Sequence, residues 1–354
     1  MSGAVSAEPQ AVFPFLVGCP RSGTTLLQAL LDSHPAIAVP PESHFIPRLQ
    51  RRFGSGWSGT ARSRRFAAAL FEGRRFQLWG ISQDRVIELI DEARPADVSG
   101  AVRLLFSEWA RRAGKPGYAD KTPYYVSRIR VLGAQFPEAR FVHLIRDGRD
   151  VALSLAESFD RAPQTSAQAA LYWSERVRAG REQGGALPSG RYLELRYEEL
   201  VAEPEATVRR LCDFLEIPYE AATLERAGVD RVLAGYPDPG VHPHLAGPIS
   251  SRRDWRREMG AAERRQFELL AGPLLAELGY EITSAGPADP AEAERARTSL
   301  LSAELEQLRH ELFRARRQAR QRQARLERLR ATRLHRAGAA LAGAAARLRG
   351  GGQT

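Results

Sequence analysis

Cysteine is scarce in this 354-residue chain, with only Cys19 and Cys212 present. Two thiols make no disulfide framework, so the fold must rest on a packed core and both are expected to be small reduced side chains. No run of about 18 apolar residues occurs, which excludes a membrane-spanning helix. Residues 1–10 carry neither the basic nor the apolar stretch that opens a secretory leader, and the expected location is the cytoplasm.

Acidic residues are missing from one region in particular. The formal net charge is +10, and between residues 314 and 349 twelve arginines face one acid, Glu327. That segment holds a local balance of +11 and leaves −1 for the rest of the chain. Contact with nucleic acid or an anionic surface would therefore belong to residues 314–349 and not to the body. Even there, the interleaved aromatics on which bases stack are absent. An apolar fraction of 43% supports a sizeable core, and the length allows one large domain with an appendage.

The body alternates between strand-like and helix-like segments. Phe13-Pro14-Phe15-Leu16-Val17, Ala36-Ile37-Ala38-Val39, Phe141-Val142-His143-Leu144-Ile145 and residues 191–196 read as strands, with helical patterns between them. That alternation predicts an α/β fold of three layers, a central parallel sheet covered on both faces. Residues 53–115 read as a helical insertion over the substrate side. The expected organisation is a flexible 1–11, one domain over 12–282, a linker at 283–288, a long Arg-rich helix over 289–349 and a flexible 350–354. Asp289-Pro290 supplies the helix start. Leu301, Leu305, Leu308, Leu312, Ala315 and Ala319 keep a 4-3-4 spacing that Leu326 and Leu329 resume, while Arg322 and Arg333 interrupt it. The seam predicts a coiled coil and a homodimer through residues 300–330.

Gly18-Cys19-Pro20-Arg21-Ser22-Gly23-Thr24-Thr25 nearly spells a nucleotide-phosphate loop. It follows a strand and opens a helix, the order in which backbone amides and a helix N-terminus face a phosphate. The departure is informative. A nucleoside triphosphatase places lysine before the last hydroxyl residue, but Thr24 stands here and the cation is Arg21. A second segment begins where Phe141–Ile145 ends, with Arg146-Asp147-Gly148-Arg149-Asp150 leading into a helix that carries Ser154. Arg146 leaves the C-terminal end of a strand, where open α/β sheets bind ligands.

Together these segments resemble the two halves of the donor site in sulfotransferases that use 3′-phosphoadenylyl sulfate (PAPS). The resemblance covers residues 12 to 283, and Pro41-Glu42-Ser43-His44-Phe45-Ile46-Pro47-Arg48 is similar to the segment after the loop in protein-tyrosine sulfotransferases. It implies a P-loop-like fold in which Arg21, Ser22, Gly23, Thr24 and Thr25 grip the 5′-phosphosulfate. Arg146 and Ser154 would grip the 3′-phosphate, and Tyr197 would contact the nucleotide. Glu42 would be the base, with His44 as reserve or partner, and a base there calls for a pKa raised by partial burial. Lys121 would be a second cation near the transferred group. Ser250, Ser251, Arg252 and Arg253 would belong to a late loop closing over the donor, a Ser near the sulfate and an Arg near the 3′-phosphate. Where that family often has a basic residue after the Ser154 position, this chain has Ser158.

The implied activity moves a sulfuryl group from PAPS to a hydroxyl or amine acceptor and leaves adenosine 3′,5′-bisphosphate, with no metal required. Two other readings stay open at this point. One is a P-loop kinase or NTPase, opposed by Thr24 and by the want of a strand ending in a magnesium-binding Asp. The other is an oligomerising or nucleic-acid-binding scaffold built on the basic helix.

Overall fold

The computed structural model describes residues 12–54, 60–157, 163, 165–225, 229–234, 247, 249–251, 253–283, 291 and 293–302. The chain divides into two units, residues 1–288 and 289–354. In the second unit, residues 291 and 293–302 are helical. The expected linker beyond Thr283, nearly all of the leucine seam, the Arg-rich segment and both expected flexible ends lie outside the described residues.

In the first unit, β1 (Phe13–Gly18) leads through the Gly-rich turn to α1 (Thr24–Ser33) and β2 (Ile37–Ala38). A helical stretch follows: α2 (Ile46–Phe53), α3 (Thr60–Phe71), α4 (Arg74–Gln77), α5 (Gln83–Ala93) and α6 (Val98–Arg112). Next come β3 (Gly117–Tyr118), β4 (Asp120–Lys121), a 3₁₀ turn (Pro123–Arg128) and α7 (Ile129–Gln135). Then β5 (Ala139–Ile145) is followed by α8 (Gly148–Ala156), α9 (Ser166–Gly185), β6 (Tyr192–Arg196), α10 (Tyr197–Ala202) and α11 (Pro204–Leu215). A second 3₁₀ turn (Ala221–Glu225), α12 (Val229–Ala234), α13 (Trp255–Glu258) and α14 (Ala261–Glu277) complete it.

Four strands form one parallel sheet in the order β4-β1-β5-β6. β1 is buried along its whole length, as expected of a parallel strand covered on both faces. Its side chains divide by alternation. Phe13, Phe15 and Val17 enter a core shared with α2–α7, and Leu16 enters one shared with α1, α10, α11 and α12. Phe15 stacks on Phe141 with ring centroids 5.3 Å apart, and Phe13 meets Phe106, Tyr118 and Phe136 edge-on. The expected three-layer α/β architecture is present, and the stretch before β3 is helical as expected.

One strand is placed differently from the expectation. β2 pairs with β3 in a separate two-stranded ladder, Ile37 opposite Gly117, and not with the main sheet. Thr283, where the linker is expected to begin, hydrogen-bonds the Glu268 carboxylate. Cys19 and Cys212 are free and buried. Burial pushes the Cys19 thiol up to about 12 and the Cys212 thiol to about 11, so both stay protonated and unreactive. No described helix is long and apolar enough to cross a membrane.

Candidate active site

The ends of β1, β5 and β6 lie side by side, so the loops leaving them meet. The first is the Gly-rich turn. Arg21 and Gly23 both adopt left-handed backbone, with φ of 74° and 90°, and the Ser22 amide bonds the Cys19 carbonyl at 3.1 Å. Arg21 holds this conformation without glycine's freedom, strain of about 1–3 kcal/mol that the packed surroundings must impose. α1 starts at Thr24 with no side-chain cap, and first-turn amides have no partner within a helix. Gly23 also touches the Tyr197 ring, where a Cβ would sit 2.4 Å from a ring carbon.

Arg146 and the start of α8 form the second loop. The Arg146 guanidinium is buried, lies 4.3 Å over the Tyr197 ring and donates to Asp150 Oδ2 at 3.3 Å. The other Asp150 oxygen accepts the Trp255 amide at 2.9 Å, which docks the late loop and α13 beside Arg146. Burial lifts the Asp150 carboxyl to about 6, with Arg146 pulling the other way. The Asp147 amide is held by Glu198 at 2.9 Å. Ser154, two turns into α8, accepts from Arg21 Nε at 2.9 Å across 133 residues of sequence. The two motifs therefore touch through their own side chains.

Two buried polar atoms in these loops have no hydrogen-bond partner, Ser22 Oγ in the first and Arg146 Nε in the second. An orphaned buried donor costs about 1–3 kcal/mol, a cost retained where a ligand completes the bond. Both loops also leave the C-terminal edge of adjacent parallel strands. The residues present thus fit a ligand with two anionic groups, one for each loop.

Arg149 belongs to the same charged run and does something else. It is fully buried, bonds Asp147 and Glu268, and lies 3.5 Å over the Trp255 ring. It clamps α8 to α13 and α14. Sequence reading gave it no role, because a charged run looks solvated until its partners 119 residues away are known.

On the other flank, β4 puts Lys121 beside Leu16 of β1. Its ammonium is fully buried and donates to Glu42 Oε1 at 2.6 Å. The second oxygen, Oε2, meets His44 Nε2 at 2.6 Å and Arg75 of α4 at 3.1 Å. Beneath this group, Ser43 bonds Asp120 at 2.6 Å, Thr122 and Tyr125, which ties the 42–44 segment to β4. Burial raises the Asp120 carboxyl to about 6. Expectation fails at Glu42. Burial alone would raise its pKa, but the Lys121 ammonium and the His44 hydrogen bond outweigh burial and hold it well below the usual carboxylate range.

The structure thus brings together Arg21, Ser22, Gly23, Thr24, Thr25, Arg146, Ser154 and Tyr197 on one side, and Glu42, His44 and Lys121 on the other. The late loop is more mixed. The Ser250 carbonyl lies 3.5 Å from the Tyr197 hydroxyl, at the edge of the site. Ser251 is exposed and bonds the Arg253 carbonyl. Arg253 is occupied by Glu157 and Glu258. Arg252 and Ser158 lie outside the described residues. Arg75, Asp150 and Arg149 were missed in the sequence, since only tertiary contacts single them out from the other arginines and acids. Among the described residues no cluster of His, Cys, Asp and Glu could hold a metal ion.

A family profile described as the Sulfotransferase family matches residues 15–221. Protein-tyrosine sulfotransferase A of Caenorhabditis elegans is 29% identical over 60% of this chain and 52% of its own length. Nodulation protein NoeE of Sinorhizobium fredii is 30% identical over 77% of this chain and 67% of its own. The chain spans about half the length of the first of these relatives. Among solved structures, the sulfotransferase domain of the Synechococcus olefin synthase superposes with a TM-score of 0.53 at 24% identity, over 77% of this chain and 95% of its own. That likeness speaks for the fold.

Proposed function

The chain belongs to the sulfotransferase family, and from that premise we propose that it moves a sulfuryl group from PAPS to a hydroxyl or amine acceptor. The pair of orphaned donors, Ser22 Oγ and Arg146 Nε, carries the donor assignment, since they suit the two anionic ends of such a nucleotide. The Gly-rich turn takes the 5′ end on its amides and Arg21. The 3′-phosphate goes to Arg146 and Ser154, where Tyr197 holds the guanidinium flat. A hydroxyl acceptor agrees with the tyrosine sulfotransferases among the relatives.

In the transfer, the acceptor oxygen forms a bond to sulfur as the bond between sulfur and the bridging phosphate oxygen breaks in line. The bound donor supplies the sulfuryl group and a leaving group already anionic. Arg21 and Lys121 place positive charge beside that oxygen, where preorganised charge is worth most. Glu42 takes the acceptor proton. Its low pKa belongs to the state in which Lys121 is bonded to it. An anion that draws the Lys121 ammonium away returns Glu42 toward the ordinary range, so donor binding switches the base on. His44, on the other oxygen, keeps the carboxylate oriented throughout.

Calorimetric titration tests the donor assignment, with adenosine 3′,5′-bisphosphate in the absence of Mg²⁺ compared with ATP plus Mg²⁺. Micromolar bisphosphate binding with much weaker ATP is expected. Tight Mg·ATP binding that ignores the 3′-phosphate would overturn the reading in favour of a kinase.

A further inference from the structure

The Glu42–His44 pair continues into a run of side chains that the donor reading leaves unused. The His44 ring meets the Tyr124 ring at 5.6 Å, and Tyr124, on the 3₁₀ turn, is 49% exposed. Tyr172 of α9 lies close enough to Tyr124 for the two phenols to act on each other electrostatically. One helical turn on, the Arg176 guanidinium lies 3.3 Å over the Tyr172 ring. Its charge reaches Cys19, second residue of the Gly-rich turn. The run therefore leads from the base, through two tyrosines, to Arg176 on α9.

Arg176 contrasts with the described arginines that hold carboxylates tightly. Arg149 and Arg253 each hold two carboxylates, and Arg103 takes both oxygens of Glu138. Among the described residues, the Arg176 guanidinium donates to the Tyr172 carbonyl of its own helix. Its nearest described carboxylate, Glu175, is 3.8 Å away with a side chain 79% exposed, an ion pair of little strength. Stacking on Tyr172 fixes the guanidinium plane and leaves its edge to hydrogen-bond a ligand, the geometry in which arginine recognises a carboxylate.

We propose that Tyr124, Tyr172 and Arg176 form the acceptor subsite, and that it takes a hydroxylated ring compound carrying a carboxylate. The ring lies against Tyr124 with its hydroxyl at Glu42, and the carboxylate pairs with Arg176. This assignment rests on the sulfotransferase reading of the neighbouring site. Arg176 acts as a specificity residue here and takes no part in the transfer.

The test uses the protein loaded with adenosine 3′,5′-bisphosphate and titrates 3-(4-hydroxyphenyl)propionate against its uncharged amide, which share the ring. A charged hydrogen-bonded pair of this kind predicts about tenfold tighter binding of the carboxylate. Arg176→Gln is expected to abolish that preference and Arg176→Lys to keep part of it, both with bisphosphate affinity within about twofold of wild type. Absence of carboxylate binding, equal binding of the two probes, or a preference that survives Arg176→Gln overturns the subsite. A fall in bisphosphate affinity in Arg176→Gln with the preference intact overturns it too, by placing Arg176 in the donor site. If wild type fails to load bisphosphate at all, the donor reading beneath the proposal is what falls.

Discussion

The two flanks of the site handle charge in opposite ways. Around the Gly-rich turn and Arg146, buried polar atoms are left without partners. Around Glu42 the carboxylate is already fully partnered, by an ammonium, an imidazole and a guanidinium. The first arrangement is unstable alone and improves when an anion arrives. The second is stable alone and must be disturbed before it can act. A single ligand does both if it fills the orphaned side and competes for Lys121, the base-flank cation on the strand next to β1.

Removing a cation from the unfilled flank should have the largest effect. Arg146→Ala is expected to weaken bisphosphate binding about a hundredfold by calorimetry, the loss of a buried charged contact worth about 3 kcal/mol. Its effect on stability should be small by comparison, because the orphaned Nε disappears with the residue.

Next comes the balanced flank. Glu42→Gln leaves Lys121 buried without that carboxylate and should cost about 3 kcal/mol of unfolding free energy in urea near neutral pH. Adding Lys121→Met should recover most of it. The gap between wild type and Glu42→Gln should also depend on pH. Glu42 titrates lower in the folded protein than its ordinary 4.5, so its contribution is complete above that value. As pH falls toward the folded value, the gap should close. A gap constant from about pH 7 to about pH 3 would contradict the ion-pair account.

Two glycines with positive φ sharpen the same contrast. Gly23→Ala combines left-handed strain with a Cβ 2.4 Å from the Tyr197 ring, so a loss of about 2 kcal/mol and about tenfold weaker bisphosphate binding are expected. Gly54→Ala, with φ +60° and ψ −150° in a region only glycine adopts readily but with open space around it, should show backbone strain alone, about 2 kcal/mol, and unchanged binding. Smallest of all is Arg75→Gln. That arginine is more than half exposed, and its removal should change stability by less than about 0.5 kcal/mol and leave bisphosphate affinity as it was.

The difference between the flanks also explains which parts were legible in the sequence. The donor side is built from two contiguous motifs, each a strand end running into a helix, so residues 18–25 and Arg146 with Ser154 announce themselves locally. Parallel pairing then brings them together without further instruction. The base side is assembled from three separated segments, 42–44, Arg75 and 120–125, and Glu42 was found through resemblance to a known segment. Its low pKa was misjudged because Lys121, 79 residues away, decides the sign. Tyr172 and Arg176 left a weak local trace, an aromatic and a cation one turn apart on α9, which is a common pattern on any helix. Arg149 left none, because its partners lie on α14 and in its own turn. Position β2 was misassigned for a related reason: two residues of strand cannot declare which sheet they join.

The most direct measurement compares bisphosphate with adenosine 5′-monophosphate, which lacks the 3′-phosphate, in wild type and in Arg146→Ala. If the two loops divide the two phosphates as proposed, wild type prefers the bisphosphate by about a hundredfold and the variant loses nearly all of that preference. Equal weakening of both nucleotides, with the preference intact, would show that Arg146 does not hold the 3′-phosphate and would contradict the account.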